Sequence, residues 1–362
     1  MKNTFGNALT ITLFGESHGE MMGACLDGLA PGIAIDEEYI NKKLQLRRPT
    51  GKISTKRVED DEYKIVSGVF NGKTTGAPLC VLIPNSNTHS SDYADLKELP
   101  RPSHADLTAN YKYHGFQDYR GGGHFSGRVT ACLVCACAII QSALEQKGIF
   151  VGTHISKIND IVDDNITSVQ DVVDLGSKQF PTVSKQVESK MLSYIEQVAN
   201  VGDSVGGVLE TVVFGMPVGV GEPWFDTLEG VISHAIFSIP AIKGVEFGAG
   251  FNLANMLGSQ ANDQFDLDGD KIVTSTNNNG GINGGISNGM PIVFRSVVKP
   301  TPSIYKQQSS VRLSTLSKEE LAIKGRHDPA IIHRARVVVD ALTAFALADL
   351  LTVRFGTDYL AK

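Results

Sequence analysis

Three consecutive glycines, Gly121 to Gly123, stand between a cluster of cations and the strongest helix-forming run of this chain of 362 residues. No other feature narrows the fold as much. The stretch from Arg101 to Arg128 holds Arg101, Lys112, Arg120 and Arg128 with His104, His114 and His124, opposed only by Asp106 and Asp118. After Ser126-Gly127-Arg128 the run Thr130 to Gln146 predicts a helix, with Gly148 as its stop. Glycine lets backbone N–H groups approach a ligand in conformations that other residues avoid. A helix start beyond them adds unpaired N–H groups and a partial positive charge. Arginine brings planar, permanent donors for phosphate and carboxylate, and histidine brings protons that move near neutral pH. The inventory suits a site that holds a multiply anionic small molecule and moves protons on it. A mobile glycine loop beside a solvated basic face is the alternative.

Composition excludes several classes. With 42% hydrophobic and 20% charged residues the chain can bury a sizeable core. A net charge of −6 argues against a general nucleic-acid binder, whose footprint is basic. The start of the chain lacks the apolar core of a signal peptide, and the longest apolar run, Ala131 to Ile140, falls short of the ~20 residues that span a bilayer. Cys25, Cys80, Cys132, Cys135 and Cys137 form no disulfide framework or metal-ligand spacing. These features fit a cytoplasmic protein with neither membrane nor nucleic-acid partners.

Along the chain, Asn7 to Phe14 alternates as a strand and ends in the turn Gly15-Glu16-Ser17-His18-Gly19. Asp36 reads as the N-cap of a helix through Ile40 and Leu44, closed by Arg47, Arg48 and Pro49. Asn71-Gly72 marks a hairpin within Lys64 to Pro84, with a weak echo around Asn288-Gly289 that suggests a duplicated strand–turn–strand unit. Gly72-Lys73-Thr74 imitates a P-loop tail, but the glycine that must lie five places earlier is Ser67. Residues 151–183 show no clear pattern, whereas Val187 to Val198 and Leu228 to Ile239 read as helices and Gly206 to Phe214 and Ile292 to Val298 as strands. Asp266 to Asp270 lacks the glycine placement of a calcium loop, so no metal site is expected. The stretch 277–289 is a flexible linker or a binding loop. On the helix from about His333, Leu342, Phe345 and Asp349 share a face, where a carboxylate is costly unless paired or used. No composition shift marks a linker, so residues 1–362 are expected to form one large domain.

Six motifs then occur in one order: Gly15-Glu16-Ser17-His18-Gly19, Arg47-Arg48-Pro49, Arg101-Pro102-Ser103-His104-Ala105-Asp106, Asp118-Tyr119-Arg120-Gly121-Gly122-Gly123, Lys299-Pro300-Thr301 and Gly325-Arg326-His327-Asp328-Pro329. Together they closely resemble the chorismate synthases, over essentially the whole chain. The resemblance implies an α+β fold, a single β-α-α-β sandwich that assembles as a homotetramer. It implies elimination of phosphate from 5-enolpyruvylshikimate 3-phosphate to give chorismate, with reduced FMN as cofactor. It implies His18, His104 and Asp349 as acid–base groups and Arg47, Arg48, Arg120, Arg128 and Arg334 as substrate ligands. The flavin positions of the pattern fall on His124, Phe125, Ser126, Gly284, Lys299, Pro300, Thr301, Pro302, Ser303 and Arg326. Some members contact NADPH at the place of Arg47; others receive reduced flavin from an external reductase. The chain departs from common forms at His124-Phe125-Ser126-Gly127 and at Pro49-Thr50-Gly51-Lys52. Two other readings compete with this one: a binding module for a phosphorylated metabolite, and a nucleic-acid binder using 101–128.

Overall fold

A computed structural model describes residues 2–49, 53–54, 61–85, 97–323 and 327–361. Two antiparallel sheets enclose a double layer of helices. The first sheet contains β1 (Thr4–Phe5), β2 (Thr10–Gly15), β3 (Met21–Asp27), β4 (Lys64–Ser67) and β5 (Leu79–Pro84), in the order β1-β2-β3-β5-β4. The second contains β6 (Phe150–Ile158), β7 (Ile161–Val162), β8 (Gly207–Phe214), β9 (Ile242–Phe247) and β10 (Ile292–Val298), in the order β9-β10-β8-β6-β7. Between them run α1 (Glu37–Arg47), α2 (Thr130–Gln146), α3 (Leu228–Phe237) and α4 (Ile332–Phe355). Helix α2 packs on β3 and β5 on one side and on α4 on the other, and α4 packs on β6 and β8. The architecture is α+β, a β-α-α-β sandwich.

The middle layers explain why two helices are apolar on every side. All residues from Ala131 to Leu144 are buried, and so are most from Ile332 to Thr352. A helix that is hydrophobic all round must be enclosed. With its leading 3-10 turn, Gly127–Gln146 reaches the length and hydropathy of a membrane span, beyond the short run read from the sequence, yet 89% of its apolar window is buried within the protein. It is a core helix.

Local chemistry sets several element ends. The Asp36 carboxylate accepts from the Tyr39 amide at 2.9 Å and starts α1. Asn71 and Gly72, at φ +49° and +72°, form the two-residue turn between paired Phe70 and Lys73. The proposed echo fails, because Ile286–Ser287 pairs with Ile282–Asn283 whereas β10 pairs with β8 and β9. The stretch 277–289 is no linker either: Asp263 accepts from the amides of Asn278 and Asn279 and fixes the loop. Asp268 and Lys271 pair across a plain hairpin turn.

Strand β6 is the element the sequence conceals. Val151 to Ser156 are buried on both faces, so alternation is lost. Its polar members are paired instead. Thr153 and Thr211 share a hydrogen bond at 2.8 Å, and His154 lies between Asp163 at 2.9 Å and Glu210 at 3.3 Å. Arg295 continues that row to Glu246 at 2.7 Å.

Candidate active site

Strand β2 delivers its turn directly onto the glycine run. The Ser17 amide donates to the Gly123 carbonyl at 3.1 Å, and a His124 ring nitrogen donates to the Gly15 carbonyl at 2.7 Å. Ser17 Oγ lies 3.1 Å from His18 Nδ1, and both residues are buried. A methyl group at Gly121 would lie 2.1 Å from His18 Cε1, and one at Gly122 would lie 3.5 Å from His104 Cε1. The glycines are therefore the seam along which two histidines from distant parts of the chain approach each other.

Gly121 also sits at φ +56°. Alanine there would meet both a left-handed backbone and the imidazole of His18, a strain of roughly 1–2 kcal/mol from the backbone alone. Gly121→Ala is expected to displace His18 and lower kcat at least roughly tenfold, a change of about 1.4 kcal/mol in the barrier. Steady-state kinetics beside a melting curve check it; unchanged kinetics in a folded variant would show that the seam tolerates a side chain.

His104 has a well-defined support. Its Nδ1 lies 2.6 Å from Asp106 Oδ1 and 3.0 Å from Arg101 Nη2; the nearer carboxylate is the stronger partner, so that nitrogen carries the proton and donates it. Arg101 grips the same carboxylate through Nε and Nη2, both at 2.8 Å, and its Nη1 donates to Ser303 Oγ at 3.3 Å. Burial opposes ionisation of Asp106, but Arg101 and His104 outweigh it and hold the carboxyl well below the usual range. Lys299 Nζ donates to the Ser103 carbonyl, so the 299–303 segment is docked on the His104 loop. A cleft beside this assembly is lined by His104, Asp106, Gln117, Asp118, Gly122 and Phe125.

The arginines fall into two groups. Arg120 is clamped by Asp118, Nε and Nη2 each at 2.8 Å, and this partner holds Asp118 below its ordinary value. Arg47, Arg48 and Arg128 converge on the buried Asp61, with Arg47 at 3.6 Å, Arg48 at 3.7 Å and Arg128 in direct contact. Arg334 joins them by donating from Nε to the Arg47 carbonyl at 2.7 Å, while its Nη1 meets Asp328 at 2.8 Å. Three guanidinium groups thus converge on one carboxylate.

Phe125 is half-exposed, edge-on to Tyr113 at 6.0 Å, and Ser126 Oγ accepts from the Arg128 amide at 3.3 Å as a cap. Pro300, Thr301 and Pro302 run between Lys299 and Ser303; the Thr301 carbonyl accepts from Ser204 at 2.7 Å. Arg326 lies outside the described residues. Gly284 lies in the loop before β10, and Lys299 directly follows that strand. Asp349 sits ~22 Å along α4 from Arg334 and accepts from the amides of Asn7 at 2.9 Å, Ala8 at 2.8 Å and Leu9 at 2.9 Å. Among the described residues its partners are these amides and not the arginine expected from the sequence. Sequence reasoning also missed Asp61 altogether, and treated Asp106 only as a countercharge although it stands two places after His104.

A four-layer sandwich that brings His18 and His104 to one glycine seam, beside a cluster of arginines, has the makings of an enzyme site for an anionic ligand. Comparison with known proteins makes this specific. The family model described as chorismate synthase matches residues 9–352. A chorismate synthase of Thermococcus kodakarensis is 44% identical over 357 residues, covering 99% of both chains, and one of Dehalococcoides mccartyi is 46% identical over 352 residues, covering 97% of this chain and 96% of the relative. A crystal structure of a chorismate synthase superposes with a TM-score of 0.76 at 29% identity, covering 98% of this chain and 95% of that one. The chain belongs to the chorismate synthase family, and it is a carbon–oxygen lyase.

Proposed function

We propose that this enzyme eliminates phosphate from 5-enolpyruvylshikimate 3-phosphate in a 1,4-anti sense to give chorismate, with reduced FMN bound beside His104. The observation that carries the reading is the His104–Asp106–Arg101 assembly facing a cleft, with His18 across the glycine seam. Three buried polar atoms near it, Gln117 Oε1, Thr301 Oγ1 and His327 Nε2, have no hydrogen-bond partner among the described residues. Such orphans suit a ligand as rich in donors and acceptors as a flavin nucleotide. Phe125, Ser126 and Lys299 to Ser303 would hold it. When bound, the reduced flavin supplies electron density to the substrate as phosphate leaves.

The chain's own residues supply the rest. Asp106 keeps the proton on Nδ1 of His104, which leaves Nε2 to give or hold a proton at the cofactor. His18 protonates or stabilises the departing phosphate. Arg47, Arg48, Arg120, Arg128 and Arg334 bind the substrate's anionic groups and are in place before charge develops, typically a large catalytic term. The five free thiols fit the cytoplasm. Exposed Trp224, Phe225, Phe251 and Phe265 are apolar surface of the kind that assembly into a homotetramer would cover.

Phosphate release followed anaerobically with reduced FMN tests the substrate. 5-enolpyruvylshikimate 3-phosphate should lose phosphate, and shikimate 3-phosphate, which lacks the enolpyruvyl group, should not. Equal release from both would identify a phosphatase.

A further inference from the structure

Away from the histidines, a second cavity of about 80 Å3 opens between α1, the end of α2, β6 and α4. One wall is apolar, formed by Val151, Val172 and Leu175; the other presents Lys43, Arg336 and Asp340. All three charged residues are more than nine-tenths buried. Their hydrogen bonding is incomplete. Arg336 Nη1 reaches Asp340 Oδ2 at 3.3 Å and its Nη2 donates to the carbonyls of Leu175 and Lys178, yet its Nε and the second Asp340 oxygen have no partner among the described residues.

Lys43 has no hydrogen-bond acceptor or ion pair among the described residues, only the Tyr39 ring 5.0 Å away. The Tyr39 hydroxyl is itself committed to Glu145 at 2.5 Å. Burial pushes the Lys43 ammonium down to about 8, and Asp340 and Glu145 offset that only in part. Lys42 and Glu145 also line the void, which makes three cations against two carboxylates. Leaving buried charges unpaired is costly, and the cost disappears when a complementary group enters.

We propose that this cavity binds a small carboxylate that also carries a hydrogen-bond donor, such as an α-hydroxy or α-amino acid, with its anion on Lys43 and Arg336 and its donor on Asp340. The void exceeds the ~10–15 Å3 that one water requires, so it accommodates several non-hydrogen atoms. The apolar wall would receive the carbon skeleton. Lys43 precedes Arg47 by one turn of α1 and Arg336 follows Arg334 on α4, so the cavity neighbours the arginine cluster without sharing a side chain with it.

The probe is glycolate, which joins a carboxylate to a hydroxyl, titrated calorimetrically into the full-length protein. Acetate lacks the donor and ethylene glycol lacks the charge. Glycolate should bind saturably, acetate more weakly and ethylene glycol not at all. Lys43→Met removes the stranded charge while keeping the side chain's length. It should fold with an unchanged or higher Tm and weaken glycolate at least ~tenfold, the loss of a charge-assisted hydrogen bond. A readout that needs no variant is a crystal grown with glycolate, in which the carboxylate should lie against Lys43 and Arg336. Absence of saturable binding, equal affinity in folded Lys43→Met, or water alone between Lys43 and Asp340 would each overturn the proposal.

Discussion

Replacing His104 by alanine is expected to lower kcat by ~10²–10⁴-fold, the usual contribution of a positioned acid–base group. The fold should survive. Arg101 keeps two side-chain hydrogen bonds to Asp106 at 2.8 Å each and a third from its own amide at 3.0 Å, so the loop retains its anchor without the imidazole. Asp106→Asn should fall between the two, because it weakens the hold on the Nδ1 proton but leaves the ring in place. Single-turnover rates measured beside melting curves separate the outcomes. A folded His104→Ala protein with near-wild-type turnover would return the residue to a structural part.

The second large effect concerns stability. Asp349→Ala should destabilise the protein by roughly 2–4 kcal/mol, since each amide left without its partner costs roughly 1–3 kcal/mol and water can reach some of them. The carboxylate is buried and holds the Asn7, Ala8 and Leu9 amides at 2.8–2.9 Å, tying the entry of β2 to the centre of α4. Strand β2 ends in the His18 turn, so loosening its start also loosens the site's scaffold. Urea denaturation should show an earlier midpoint, and turnover per folded molecule should stay close to wild type. An unchanged midpoint with turnover reduced roughly tenfold, about 1.4 kcal/mol, would instead make Asp349 a proton-transfer group.

The contrast between these two residues shows what local sequence can and cannot reveal. The helices were legible because burial on every side writes an unbroken apolar run, as in Thr130–Gln146, or because a cap such as Asp36 marks the start. The Asn71-Gly72 turn was legible because few residues adopt its backbone. Strand β6 was not, since Thr153, His154 and Ser156 look solvent-facing until Thr211, Asp163 and Glu210 arrive from elsewhere in the chain. In the site, His18, His104 and the glycine run announce their chemistry by residue type. Which of them meet depends on β2 docking its turn on residues 121–124, a contact across a hundred residues that no local pattern encodes. Asp349 was singled out correctly as an anomaly on an apolar face. Its partners are backbone amides, which carry no sequence signature at all. Asp61 is silent for the same reason: an aspartate in a polar stretch gives no sign that Arg47, Arg48 and Arg128 converge on it.

Under the proposed function, this site requires a reduced flavin for a reaction with no net redox change. The direct measurement is chorismate formation under strict anaerobiosis, with 5-enolpyruvylshikimate 3-phosphate and FMN either chemically reduced or left oxidised. Chorismate should appear with reduced FMN and not with oxidised FMN. Equal turnover with oxidised FMN, or none with the reduced form, would contradict it.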